Sequence, residues 1–322
     1  MDRNLAINLV RVTEAAALGA SKHLGRGDKN IADQAAVDGM RKMFDTIDID
    51  GTVVIGEGEM DEAPMLYIGE SIGRCCDGAI KVDIAVDPLD GTNCVAKGLP
   101  NAIAVVALAP KGHLLNAPDM YMDKIAVGPK AKGLVSLDNP ITENLKILSN
   151  VLDKSMDDLT VTMLDRERHE KLIKECRDAG VRLKLFNEGD IGAAMATCFD
   201  HTGIDMMVGI GGAPEGVLAA AALKCMGGDF QGRLVPYEDE EKKRCIDMGI
   251  NPNKLLTMED LVKGNEVYFA ATGITEGDFL KGVVYKGNKI VQTHSVVMRS
   301  ETGTIRFIDA IHKLDKKPSY AK

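Results

Sequence analysis

The chain has 322 residues, 45% of them hydrophobic but only 4% aromatic, with 33 Gly, 16 Met and no Trp. That is more than one core usually serves, so two packed domains are expected. A net charge of −9 argues against nucleic acid or an anionic membrane as the main partner, though bound metal or local cations can still draw a small anion into a cleft.

Residues 5–23 carry Leu5, Leu9, Val12, Ala16 and Ala20 at helical spacing and predict a first helix. A second is predicted over residues 31–44, with Asn30 as its cap. The β-branched run 52–55 reads as a strand that ends in an acidic loop, Gly56-Glu57-Gly58-Glu59. Ile80, Val82, Ile84 and Val86 alternate with Lys81, Asp83, Ala85 and Asp87, a strand period that is expected to stop at Pro88. Residues 102–108 read as a buried strand. Farther on, strands over 159–164, 181–186 and 204–210 each lead through a charged or glycine-rich loop into a helix. Gly180 closes the first of these helices; Pro214 opens the third and Gly227 ends it. Such units imply parallel strands with right-handed crossovers, whose ligands collect at the carboxyl ends. Those ends carry Asp165, Arg166, Arg168, Glu188, Asp190 and Glu215. Residues 236–264 are polar and read as a solvent-facing helical insertion.

Several features speak to location. No apolar run reaches the roughly 20 residues of a membrane helix, and nothing resembles a signal segment. The seven cysteines include no Cys-x-x-Cys pair, so neither a disulfide framework nor a thiolate zinc site is indicated and a cytoplasmic location fits best. The vicinal pair Cys75–Cys76 is read as packing, with redox chemistry the alternative. His169 is read as a surface or capping residue.

The sharpest motif is Asp87-Pro88-Leu89-Asp90-Gly91-Thr92, directly after an apolar strand. Phosphate-ester hydrolysis needs cations on the ester oxygens and an activated water, and hard ions such as Mg²⁺ or Mn²⁺ need converging carboxylates. Asp87 and Asp90 would supply two, with the Thr92 hydroxyl beside a water; the same hexapeptide also reads as a plain turn. Glu57, helix-borne Asp33 with Lys29 just ahead of it, and Glu215 at a glycine-rich helix start favour the metal reading. No dinucleotide fingerprint or Gly-Lys-Ser/Thr phosphate loop occurs.

With Ile55-Gly56-Glu57-Gly58-Glu59-Met60-Asp61-Glu62-Ala63-Pro64-Met65-Leu66, the aspartate hexapeptide, Asn30-x-x-Asp33-Gln34 and Gly211-Gly212-Ala213-Pro214-Glu215-Gly216, the chain resembles the class II fructose-1,6-bisphosphatases of the lithium-sensitive phosphatase superfamily. The likeness runs through Thr142-Glu143-Asn144-Leu145 to Ala271-Thr272-Gly273-Ile274-Thr275. It implies a layered α/β/α/β/α sugar-phosphatase sandwich. The expected domains are residues 1–156, α+β and metal-binding, and residues 157–322, α/β and substrate-binding, with C-terminal strands that return to the first. It also implies two or three Mg²⁺ or Mn²⁺ ions on Asp33, Glu57, Asp87, Asp90 and Glu215. Substrate contacts carry over to Asp90, Gly91, Thr92, Tyr121, Arg166, Arg168, Glu188, Asp190 and Gly212, and catalytic positions to Thr92, Asp61 and Lys29. Read without the family, Tyr121 is a packing residue. The chain departs from the family at Asp90 (often Glu), Glu167 (often Pro) and Glu188 (usually Asp). The implied activity is metal-dependent release of the 1-phosphate of fructose 1,6-bisphosphate, in a homodimer or homotetramer. A sedoheptulose 1,7-bisphosphatase, a dual-specificity enzyme, an inositol-type monophosphatase and a non-hydrolysing sugar-phosphate sensor are the alternatives.

Overall fold

The computed structural model describes residues 4–58 and 64–318. Helices α1 (Leu5–Ser21) and α2 (Lys29–Phe44) come first, then strands β1 (Ile49–Ile55), β2 (Ser71–Ile72) and β3 (Ile80–Asp90), helix α3 (Thr92–Lys97) and β4 (Ile103–Pro110). The middle of the chain holds β5 (Tyr121–Val127), α4 (Ile141–Leu152), β6 (Thr160–Leu164), α5 (Glu170–Asp178), β7 (Arg182–Phe186) and α6 (Asp190–Ala196). It continues with β8 (Met206–Gly212), α7 (Ala213–Met226), β9 (Asp229–Val235), α8 (Asp239–Asp247) and α9 (Met258–Leu261). Strands β10 (Tyr268–Gly273), β11 (Val284–Tyr285), β12 (Ile290–Arg299) and β13 (Thr304–Lys313) follow. This is an α/β fold with two sheets. No described helix is long and apolar enough to cross a membrane.

The chain forms two compact units. Unit 1 runs to Leu115 and resumes at Gly264; unit 2 is Asn116–Lys263. The division therefore falls well before the expected boundary at 156. The reason is long-range pairing: β10 aligns antiparallel with β4, Tyr268 opposite Leu108, and draws the last strands into the first sheet.

Unit 1 is an eight-stranded sheet ordered β11-β12-β10-β4-β3-β1-β2, with β13 added beside β12. Helices α1 and α2 pack on it through Leu9, Val12, Val37, Met40 and Phe44 against Val82, Ile84, Val106 and Tyr268. The predicted cap of α2 is corrected: Asp28, not Asn30, is the cap, its carboxylate accepting from the Asn30 and Ile31 amides at 3.0 and 3.1 Å. Strand β3 also does not stop at Pro88. It runs on to Asp90, with its register on β4 shifting between Asp87 (opposite Val105) and Asp90 (opposite Ile103). That bulge tolerates a proline, because the extra residue there is not asked for a ladder N–H.

Unit 2 is a five-stranded sheet ordered β7-β6-β8-β5-β9. β6 pairs parallel with both β7 and β8, as the strand–loop–helix rhythm implies. β5 is antiparallel to its neighbours. Ile125, Val127, Val161, Met163, Met206 and Val208 point into one core with α4 and α5. Strand side chains of the opposite parity, Met122 and Lys124 among them, therefore face α6 and α7. Segment 236–264 is less solvent-facing than expected. Cys245, Leu261 and Val262 are fully buried, and Leu256 pairs with Gly232 of β9. Cys75 and Cys76 are exposed rather than packed; Cys75 sits in a left-handed turn (φ 49°) that faces its side chain away from the core.

Candidate active site

In unit 1, parallel pairing of β1 with β3 brings the loops after them to one edge of the sheet. Gly56 allows this loop to fold tightly, since a Cβ there would lie 1.9 Å from the Leu66 carbonyl oxygen. Half-buried Glu57 follows, and shares a hydrogen bond with Asp33 of α2. Burial first, then the charges of Asp33 and Asp87, push the Glu57 carboxyl up to about 9. Asp33 is raised too, chiefly by burial, against the pull of its bond to Glu57 and of the Lys29 charge. Asp87 Oδ1 accepts from the Leu89 amide at 3.0 Å, and Asp90 is buried. Gly91, with φ 97°, turns the chain into α3, whose first residue is half-buried Thr92. Lys29 is exposed at the start of α2. Among the described residues no three His, Cys, Asp or Glu side chains are gathered around a single point, so these acids form a crowded pair with a neighbour and not a finished cage. Asp61 lies outside the described residues.

In unit 2 the carboxyl ends of parallel β6, β7 and β8 share an edge, and antiparallel β5 begins there, Tyr121 opposite Gly212. The predicted substrate residues of unit 2 therefore lie along that edge. Arg166 donates to the Asp165 and Asn187 carbonyls at 2.9 and 2.6 Å. Arg168 donates through Nε and Nη2 to the Ile210 carbonyl at 3.1 and 2.7 Å, and its guanidinium lies 4.8 Å over the Tyr121 ring. Tyr121 is thus exposed and stacked, also edge-on to Tyr237 at 5.5 Å, not packed in the core. Glu188 and Gly189 lead into α6, where Asp190 is buried; Gly212 precedes α7, whose first turn holds Pro214 and Glu215. His169 is not a surface residue, and although it stands at the N-cap position of α5 its side chain makes no capping bond. Buried, it bridges the Leu164 carbonyl and the Ile210 amide at 2.7 and 2.8 Å and so ties β6 to β8 beside the arginines. Because Nε2 accepts from that amide, Nδ1 is the donor. Gly209 must be glycine, for a Cβ there would stand 2.9 Å from His169 Nε2.

Lys124 was not among the predicted residues. Fully buried in β5, its Nζ lies 2.7 Å from Asp190 Oδ2. It also pulls the Glu215 carboxyl down, against a stronger upward push from burial. The only sequence signal was a Lys at an inward position of a strand that the Asp123–Lys124 pair disguises.

The donors suit a hard divalent cation. All are carboxylate oxygens; Glu57 and Asp33 crowd each other; and Glu215 Oε2 is buried with no hydrogen-bond partner. Gly212 leaves that oxygen its space, since a Cβ there would lie 1.9 Å from it.

Residues 3–312 match the family described as bacterial fructose-1,6-bisphosphatase, glpX-encoded. The chain is 48% identical over 330 residues to a protein of Escherichia coli (strain K12) named fructose-1,6-bisphosphatase 1 class 2, covering 98% of this chain and 97% of that one. It is 46% identical over 338 residues to a Synechococcus sp. (strain JA-3-3Ab) protein named D-fructose 1,6-bisphosphatase class 2/sedoheptulose 1,7-bisphosphatase, with the same coverage.

Proposed function

This chain belongs to the glpX-encoded bacterial fructose-1,6-bisphosphatase family and is a metal-dependent phosphatase, and from that premise we propose how its residues share the work. It hydrolyses the 1-phosphate of fructose 1,6-bisphosphate to fructose 6-phosphate and phosphate. In unit 1, Asp33, Glu57, Asp87 and Asp90 are the carboxylates that would take a cation, and in unit 2 Glu215 is; the ions would be two or three Mg²⁺ or Mn²⁺. Bound, such ions offset charge on the phosphoryl and leaving oxygens and make water acidic enough to attack. The observation that carries the reading is the crowding around Glu57, a half-buried acid bonded to Asp33 and facing the charges of Asp33 and Asp87, which a bound cation would relieve.

The chain's own groups orient the reaction. Thr92 directs its hydroxyl to the attacking water, and Lys29 offsets the charge of Asp33. Arg166 and Arg168 grip the second phosphate by charge-assisted hydrogen bonds, which favours a bisphosphate. Their forks are already held by backbone carbonyls, so little rotamer entropy is left to lose. Tyr121 supports Arg168, while Glu188, Asp190 and Gly212 address the sugar. Dual action on sedoheptulose 1,7-bisphosphate is the second reading, favoured by the name of the Synechococcus relative. Free cysteines fit a cytoplasmic enzyme, and the family resemblance favours a homodimer or homotetramer.

Asp87→Ala tests the site. We expect turnover to fall by about 10²-fold or more, as when a single electrostatic transition-state contact is lost, with an unchanged circular dichroism spectrum. Near-normal turnover at saturating Mg²⁺ or Mn²⁺ would contradict the assignment.

A further inference from the structure

A buried ammonium is costly unless carboxylates meet its charge, and Lys124 of β5 is 1% exposed. Its direct partner is Asp190, at 2.7 Å. Lys124 is also the cation acting on Glu215, on which Asp190 and Asp119 act as anions. Burial and two like charges thus oppose the Glu215 carboxylate, and a divalent cation beside it would supply the charge that Lys124 gives to Asp190. The backbone is cleared for this group. A Cβ on Gly211 would meet Asp190 Oδ2 at 1.9 Å and Lys124 Nζ at 2.9 Å. The two nearby acids are treated differently. Asp190 is met by a cation that the chain itself supplies, whereas Glu215 Oε2 is buried without a hydrogen-bond partner.

We propose that Lys124 is a built-in counter-ion: by holding Asp190 it reserves Glu215 for the divalent cation, and so sets how many cations the acidic pocket of unit 2 takes. Lys124 is a positioning residue, acting through the two acids. Its ammonium supplies charge that would otherwise draw a second metal ion, and it fixes Asp190 through one carboxylate oxygen. This inference rests on the reading of Glu215 as a metal-binding carboxylate.

The test is equilibrium binding of Mn²⁺ to full-length, metal-stripped protein without substrate, with free ion read by electron paramagnetic resonance. Lys124→Met should bind one more Mn²⁺, or bind it about tenfold more tightly, the size of effect that outer-shell changes have on metal sites. Adding Asp190→Asn to that variant should abolish the gain. Asp190→Asn alone, a near-isosteric change that decides the matter should Lys124→Met not fold, releases Lys124 toward Glu215 and should weaken Mn²⁺ binding about tenfold. Unchanged Mn²⁺ binding in these variants, while Glu215→Gln loses an ion, would overturn the role of Lys124 and leave the site reading intact. Unchanged binding in Glu215→Gln would overturn the site reading and the inference with it.

Discussion

At Glu57, burial and two neighbouring carboxylates act in the same direction and hold its proton to about pH 9, against an ordinary value of 4.5. A carboxyl raised in this way contributes stability that is complete below its unfolded pKa and is lost as pH rises through the folded one. Metal-free protein should therefore lose Tm between about pH 5 and pH 9, by several degrees, since each kcal/mol is worth roughly 2–4 °C in chains of this size class. Added Mn²⁺ should restore it, most strongly at the alkaline end. Calorimetry with and without chelator checks this, and a metal-free Tm that does not decline over that range would count against a crowded carboxylate pair. At this scale Glu57, Asp87, Asp90 and Glu215 could be named as metal candidates because each lies in a glycine- or proline-bearing stretch read as a loop after a strand, whereas Asp33 on its helix drew its weight from the family motif. Lys124 was not, because a buried cation in a strand reads like any surface Lys until its partner Asp190, 66 positions away, is known. The same limit hid the contacts of His169 and Tyr121, though both residues were named from the sequence. Their surroundings are made by β8 and by Arg168, not by sequence neighbours.

Helices α1 and α2 approach each other through glycine. A Cβ on Gly19 would lie 2.3 Å from the Ala35 carbonyl oxygen, and one on Gly39 would lie 2.5 Å from that of Ala15. The close crossing seats α2, and with it Asp33, against the sheet. Gly39→Ala poses two opposed effects. Helix propensity alone would stabilise by about 1 kcal/mol, whereas overpacking against backbone costs about 1–3 kcal/mol. Because the obstacle is a carbonyl and not a flexible side chain, the clash should win. Urea denaturation should show a lower midpoint for Gly39→Ala; a higher one would mean that the helices part without penalty. Elements with clean periodicity, α1, β3 and β4 and the parallel strands of unit 2, were legible from sequence. The end of β3 was not, because the rule that a proline ends a strand yields to a bulge. β5 was missed because two adjacent charges break its alternation.

The whole molecule is one chain that leaves its first unit at Leu115 and returns at Gly264. Local pattern cannot show this, since the tie between β4 and β10 spans about half the chain; the return of the last strands was expected from the family resemblance alone. The α/β class was legible, whereas the boundary required knowledge of strand partners. In the proposed chemistry unit 1 contributes four acids for cations, and unit 2 contributes Glu215 and the arginine pair. The measurement that tests this division most directly is phosphate release by chelator-stripped protein, with Mg²⁺ or Mn²⁺ added back, on fructose 1,6-bisphosphate, sedoheptulose 1,7-bisphosphate, fructose 6-phosphate and inositol 1-phosphate in parallel. We predict no release without metal, and with metal a strong preference for the bisphosphates led by the hexose. Release that persists without metal, or a monophosphate as the best substrate, would contradict the account.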